Sequence, residues 1–78
     1  MDTIHLVGLK GSVFVQIKRV SHEKLQLEIL GLEYDLKEKA VIRNEELRKT
    51  LLELIKNYDL SPASIHVSDI TIATYLLL

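Results

Sequence analysis

Seventy-eight residues, eleven Asp and Glu against ten Lys and Arg for a formal charge of −1, and no cysteine leave room for one domain. They exclude disulfide staples, thiolate nucleophiles and Cys-containing zinc sites. The charge balance argues against a duplex-binding protein, whose affinity comes largely from phosphate neutralisation. A composition that is 47% hydrophobic, with Phe14, Tyr34, Tyr58 and Tyr75 as its only aromatic residues, points to an aliphatic core and not to an aromatic-lined pocket.

Residues 3–9 read as a strand with Ile4 and Leu6 on one face and His5, Val7 and Leu9 on the other. Both faces are apolar enough for an interior strand. Lys10-Gly11 predicts a tight turn, with Gly11 free to take a positive φ. Over 12–20, Val13, Val15 and Ile17 share one face while Gln16 and Lys18 mark the other as wet. Ser21-His22 breaks the pattern, and Leu25, Leu27 and Ile29 then alternate with Lys24, Gln26 and Glu28, which predicts a hairpin. At Gly31 the apolar positions pass from odd to even numbers. Gly31 is then either a bulge or the point where the strand ends; a bulge or sharp bend is favoured, with 32–36 extended beyond it, Lys37-Glu38-Lys39 a solvated connection, and Ala40-Val41-Ile42 returning to the core.

Residues 44–58 carry the clearest element. Leu47, Leu51, Leu54, Ile55 and Tyr58 recur with helical spacing as one buried stripe. Asn44 is the expected N-cap, Glu45 and Glu46 favour the first turn, and Asn57 suits a left-handed C-cap. Leu60-Ser61-Pro62 breaks the chain, and Ile65-His66-Val67 reads as a short strand. After Ser68-Asp69 the pattern fits a helix with Ile70, Ala73, Thr74 and Leu77 on one face. The β-branched run Ile70-Thr71-Ile72 favours a strand instead. The expected fold is a single α+β domain over 1–78: an antiparallel β-meander of about three to four strands, one amphipathic helix, and a short C-terminal strand or helix. The opening Met1-Asp2-Thr3 is no secretory leader and the apolar run 70–78 is too short to span a bilayer, so a soluble, cytoplasmic protein is expected.

Few residues offer chemistry. His5, His22 and His66 lack the short spacings of zinc sites, so no metal or other cofactor is expected. Ser12, Ser21, Ser61, Ser64 and Ser68 lie in no nucleophile elbow, and Glu33 and Asp35 alternate outward as a solvated face would. No enzyme and no small-molecule substrate is expected. Gly8-Leu9-Lys10-Gly11-Ser12 could present backbone N–H groups to a phosphate, with Lys10 adding charge, although it is not a P-loop.

The order of three antiparallel strands, connection, helix and short strand resembles the first subdomain of actin-like ATPases, including their type IV pilus assembly relatives. The resemblance is one of topology and covers nearly the whole chain. It implies a stand-alone or truncated piece of such a fold. That family opens its first turn with an acid followed by glycine and small polar residues. Val7 stands at that place here, so the resemblance does not carry metal–nucleotide binding with it.

Two binding readings follow. Lys10, Gly11, Lys18, Arg19 and Lys24 could form a basic rim for nucleic acid around the first hairpins, although Glu23 and Glu28 interleave with it. The favoured reading is a protein–protein interaction or assembly module, homodimeric, because apolar residues exceed what one helix can cover. Its candidate interface residues are Phe14, Val20, Leu52, Leu76, Leu77 and Leu78.

Overall fold

Strict alternation of apolar and polar residues gives a sheet with one dry face. In the computed structural model, which describes residues 2–77, four strands form the expected meander. They are β1 (Asp2–Gly8), β2 (Gly11–Arg19), β3 (Lys24–Gly31) and β4 (Leu36–Arg43). A fifth, β5 (Ser61–His66), pairs antiparallel with β1 on the far side, so the sheet runs β4-β3-β2-β1-β5. The sheet therefore has five strands where three to four were expected, and four of them precede the first long helix.

β3 ends at Gly31, which pairs regularly with Leu36, so a strand end and bend stand there and not a bulge. The extended reading beyond it is corrected: Leu32–Tyr34 form a 3-10 turn and Asp35 takes a left-handed conformation at φ 52° before β4 begins at Leu36. The parity change marks a hairpin corner. Lys37, Glu38 and Lys39 belong to β4 and are not a connection. They read as solvated because β4 is an edge strand, where charged side chains guard unpaired backbone groups against another chain.

The dry face collects Ile4, Leu6, Val13, Val15, Ile17, Leu25, Leu27 and Ile29, all buried. Helix α1 (Leu47–Tyr58) lies against it through Leu47, Leu51 and Leu54, with Ile55 and Tyr58 half-buried, as the stripe predicts. Asn44–Glu46 form a 3-10 turn ahead of it, and the Arg43 N–H donates to the Glu46 carboxylate at 2.8 Å. Asn44 does not cap the helix; it is buried and bonded elsewhere. At the far end Asp59, and not Asn57, takes the left-handed position (φ 53°). The Leu60 N–H then reaches back to the Ile55 carbonyl at 2.9 Å, closing a Schellman-type end with Leu60 buried.

The C-terminal segment is a second helix, α2 (Ile70–Leu77), so the strand favoured by Ile70-Thr71-Ile72 is corrected. Asp69 decides it. Its Oδ1 accepts the N–H groups of Thr71 and Ile72 at 2.9 and 3.2 Å, satisfying two of the donors that a helix start leaves bare. Local capping and the burial of Ile72 override a β propensity that is only a weak preference. Among the described residues no helix is long and apolar enough to cross a membrane.

Candidate interaction surfaces

Arg19 leaves the expected basic rim. Its Nε donates to Asp69 Oδ2 at 2.8 Å, its Nη2 to Asp69 Oδ1 at 3.4 Å, and its Nη1 serves Ser21 O, His22 O and Asn44 Oδ1 at 3.0–3.1 Å. Asn44 Nδ2 donates to the same His22 carbonyl at 3.1 Å. One guanidinium thus ties the β2–β3 turn to the starts of both helices. The Asp69 carboxyl is held below its ordinary value, first by the Arg19 hydrogen bond and then by the Ile72 and Thr71 amides, against an opposing effect of burial. The Arg19 guanidinium is held above its own, first by Asp69.

Lys10 and Gly11 are also separated from the rest of that rim. They sit at one end of β2 and Lys18 at the other, about 25 Å away at the rise of an extended chain. The Lys10 N–H donates to the Tyr34 hydroxyl at 3.2 Å, so the turn does not offer that amide to a phosphate. Glu33 and Asp35 lie in the corner after β3 and not side by side on a strand. Cross-strand register does bring His5 beside Ser12, with Nε2 and Oγ 2.9 Å apart. The His5 ring stacks on Phe14 at 4.5 Å between centroids, and among the described residues no carboxylate hydrogen-bonds to it. A nucleophile–base pair needs such an orienting group and a pocket, so the contact reads as side-chain packing on the sheet. No group of three or more His, Cys, Asp or Glu among the described residues could hold a metal.

Two surfaces remain. The first is the helical layer. Leu52 of α1 is 52% exposed and lines, with Ile55, Pro62, Ile65 and Leu76, an apolar groove of about 170 Å³ between α1, α2 and β5. Beside it α2 turns Ile72 and Leu76 inward and leaves Ile70 82% and Leu77 86% exposed. The face shared by Ile70, Ala73, Thr74 and Leu77, the one the sequence pattern would bury, thus includes the two most exposed large side chains of the helix. Leu78 lies outside the described residues.

The second is the sheet face opposite the helices. Register places Phe14 between His5 and Leu30, and Lys18 beside Gln26, which in turn lies beside Val41. Phe14 and Leu30 are each 42% exposed and line a shallow depression of about 450 Å³ with Gln16 and with two acids and two bases, Glu28, Glu38, Lys37 and Lys39. Phe14 and Leu52 therefore sit on opposite layers of the domain and cannot share one interface. Val20 is exposed just past the end of β2.

The same register collects Lys18, Lys24, Lys37, Lys39 and Arg43 on this open face against a single acid, Glu28. The remainder of the chain then holds five basic residues and ten acidic ones. The near-neutral total conceals this division, which needs strand register to be seen. Comparison with known proteins gives no match: no family model, no curated protein and no solved structure.

Proposed function

We propose that the chain is a non-enzymatic assembly module that self-associates through its helical layer. The observation that carries the reading is the composition and placement of α2. None of its eight residues is charged, and Ile70 and Leu77, two turns apart on one face, stand in solvent. Apart from Thr71, Thr74 and Tyr75 its residues are apolar, and a helix of that composition normally buries more than one side. Ala73 and Thr74 lie between the two large side chains on that face. An antiparallel partner related by a two-fold axis would set Ile70 of each copy against Leu77 of the other, with the small pair at the crossing. Such a surface is self-complementary, as a two-fold dimer requires. Each of these side chains gains about 1.5–3 kcal/mol on full burial. The adjoining groove at Leu52, Ile65 and Leu76 would extend the contact toward the roughly 800 Å² per partner of a stable interface.

The test is solution mass by size-exclusion chromatography with light scattering over a range of concentrations. The wild type is expected to be a dimer, and Ile70→Glu with Leu77→Glu a folded monomer. A wild type that stays monomeric at every concentration defeats the reading.

A further inference from the structure

We propose that the open sheet face is a docking surface for an acidic protein segment that carries an apolar anchor residue, a role separate from self-association. The bland account of the charges is edge protection, and for Lys37 and Lys39 on β4 it suffices. It does not reach Lys18 and Lys24, which lie on the interior strands β2 and β3. Nor does it explain why Lys24 is placed directly opposite Arg43, since like charges in a cross-strand pair destabilise the sheet. An anion laid across the face would relieve that repulsion. Glu28 is the one acid that register sets on this face, and its carboxylate lies 3.9 Å from Lys39, too far for a hydrogen bond; Arg43 also has the Glu46 carboxylate at its own backbone N–H.

One end of the face is apolar, while its middle carries Gln16, Gln26 and Glu28. Phe14 and Leu30 are directly opposed across β2 and β3, and Leu30 is in turn opposite Lys37. An exposed aromatic–aliphatic pair at one end of a lysine-rich face, about 20 Å along β3 from Lys24, suits an extended segment whose anchor residue and acids lie apart. The residue types favour protein over nucleic acid as the occupant. Single-stranded nucleic acid is held by several aromatic platforms and by arginine. Here the aromatic surface is one Phe, already stacked on His5 and set beside Leu30, and four of the five cations are lysines. A second copy docked face to face would oppose two surfaces of the same sign, so the occupant is a different chain.

The experiment titrates the full chain into a fluorescein-labelled peptide in which Asp and Glu alternate with Leu and Phe, read by anisotropy. A matched peptide with Lys for the acids and a poly(dT) oligonucleotide run beside it. The acidic peptide is expected to bind saturably, and more weakly as salt rises, while the basic one does not bind. Charge reversal by Lys24→Glu with Arg43→Glu, and separately Phe14→Ala, should each weaken binding by about tenfold or more. Circular dichroism and solution mass should match the wild type, since these side chains are exposed and are not among those facing solvent on α2. Failure of the acidic peptide to bind, binding indifferent to the charge reversal, or tighter binding of poly(dT) would overturn the proposal.

Discussion

Arg19 and Asp69, fifty residues apart in the sequence, meet as a 2.8 Å ion pair that joins the end of β2 to the start of α2. The pair is about a quarter exposed on each side. It owes its worth to position, because the same carboxylate caps α2 and the same guanidinium holds the β2–β3 turn.

A pH dependence follows from this arrangement. The folded protein holds the Asp69 carboxyl below its ordinary value of 3.8, so the pair's contribution is fully present above that pH. It is lost as pH falls below 3.8 through the depressed folded value. Asp69→Asn keeps a capping oxygen but no charge. Its stability, measured by urea unfolding between pH 7 and pH 2, should therefore fall less steeply at the acid end than that of the wild type. Asp69→Ala loses the cap as well and should cost about 1–2 kcal/mol at neutral pH. An acid limb unchanged in Asp69→Asn would show that the ion pair contributes nothing.

Asp2 makes a second tie to the same loop. Its carboxylate accepts from the Ser68 N–H and hydroxyl, both at 3.1 Å, and from the Asp69 N–H at 3.3 Å. Asp2→Ala removes the acceptor for two backbone amides in a part-buried site, which should cost about 1–3 kcal/mol. Amide hydrogen exchange at Ser68 and Asp69 should accelerate before exchange in β2 and β3 does. Uniform acceleration across the chain would mean that the loop opens only with global unfolding.

Gly8 is required for space. A methyl group there would meet the Tyr34 hydroxyl and would come within 2.9 Å of a Leu60 methyl and 3.1 Å of the Asp59 carbonyl. Gly8→Ala should destabilise by about 1–3 kcal/mol, the usual cost of overpacking. Tyr34→Phe removes the nearest obstructing atom at the expense of its bond to the Lys10 N–H. In the Tyr34→Phe background the added penalty of Gly8→Ala should therefore shrink, which a double-mutant cycle of melting temperatures would read.

What could be read from the sequence follows from how local each signal is. The α1 stripe was legible because five apolar residues repeat with the helical period and nothing distant competes with it. β4 was hidden because an edge strand wetted by Lys37, Glu38 and Lys39 has no alternation to detect. The basic face was hidden for a different reason. Lys18, Lys24, Lys37, Lys39 and Arg43 come from three strands, and only their register sums them. Arg19 looked equivalent to Lys18 because its partner is fifty residues away.

The orientation of α2 is the sharpest case, and it yields the last prediction. Period alone groups Ile70, Ala73, Thr74 and Leu77 as the buried face, yet the core receives Ile72, which is 2% exposed. The cause lies before the helix starts. Asp2 holds the amides of Ser68 and Asp69, Arg19 holds the Asp69 carboxylate, and these ties fix where the first turn begins. With the start fixed, a period of 3.6 residues per turn carries Ile72 and then Leu76 onto the sheet. Ile72→Ala should therefore cost about 2–5 kcal/mol, as cavity-forming core substitutions do. Ile70→Ala and Leu77→Ala, measured where the chain is monomeric, should stay within about 0.5 kcal/mol of the wild type. The reverse ranking would place the helix on its other face, and the self-association surface would vanish with it.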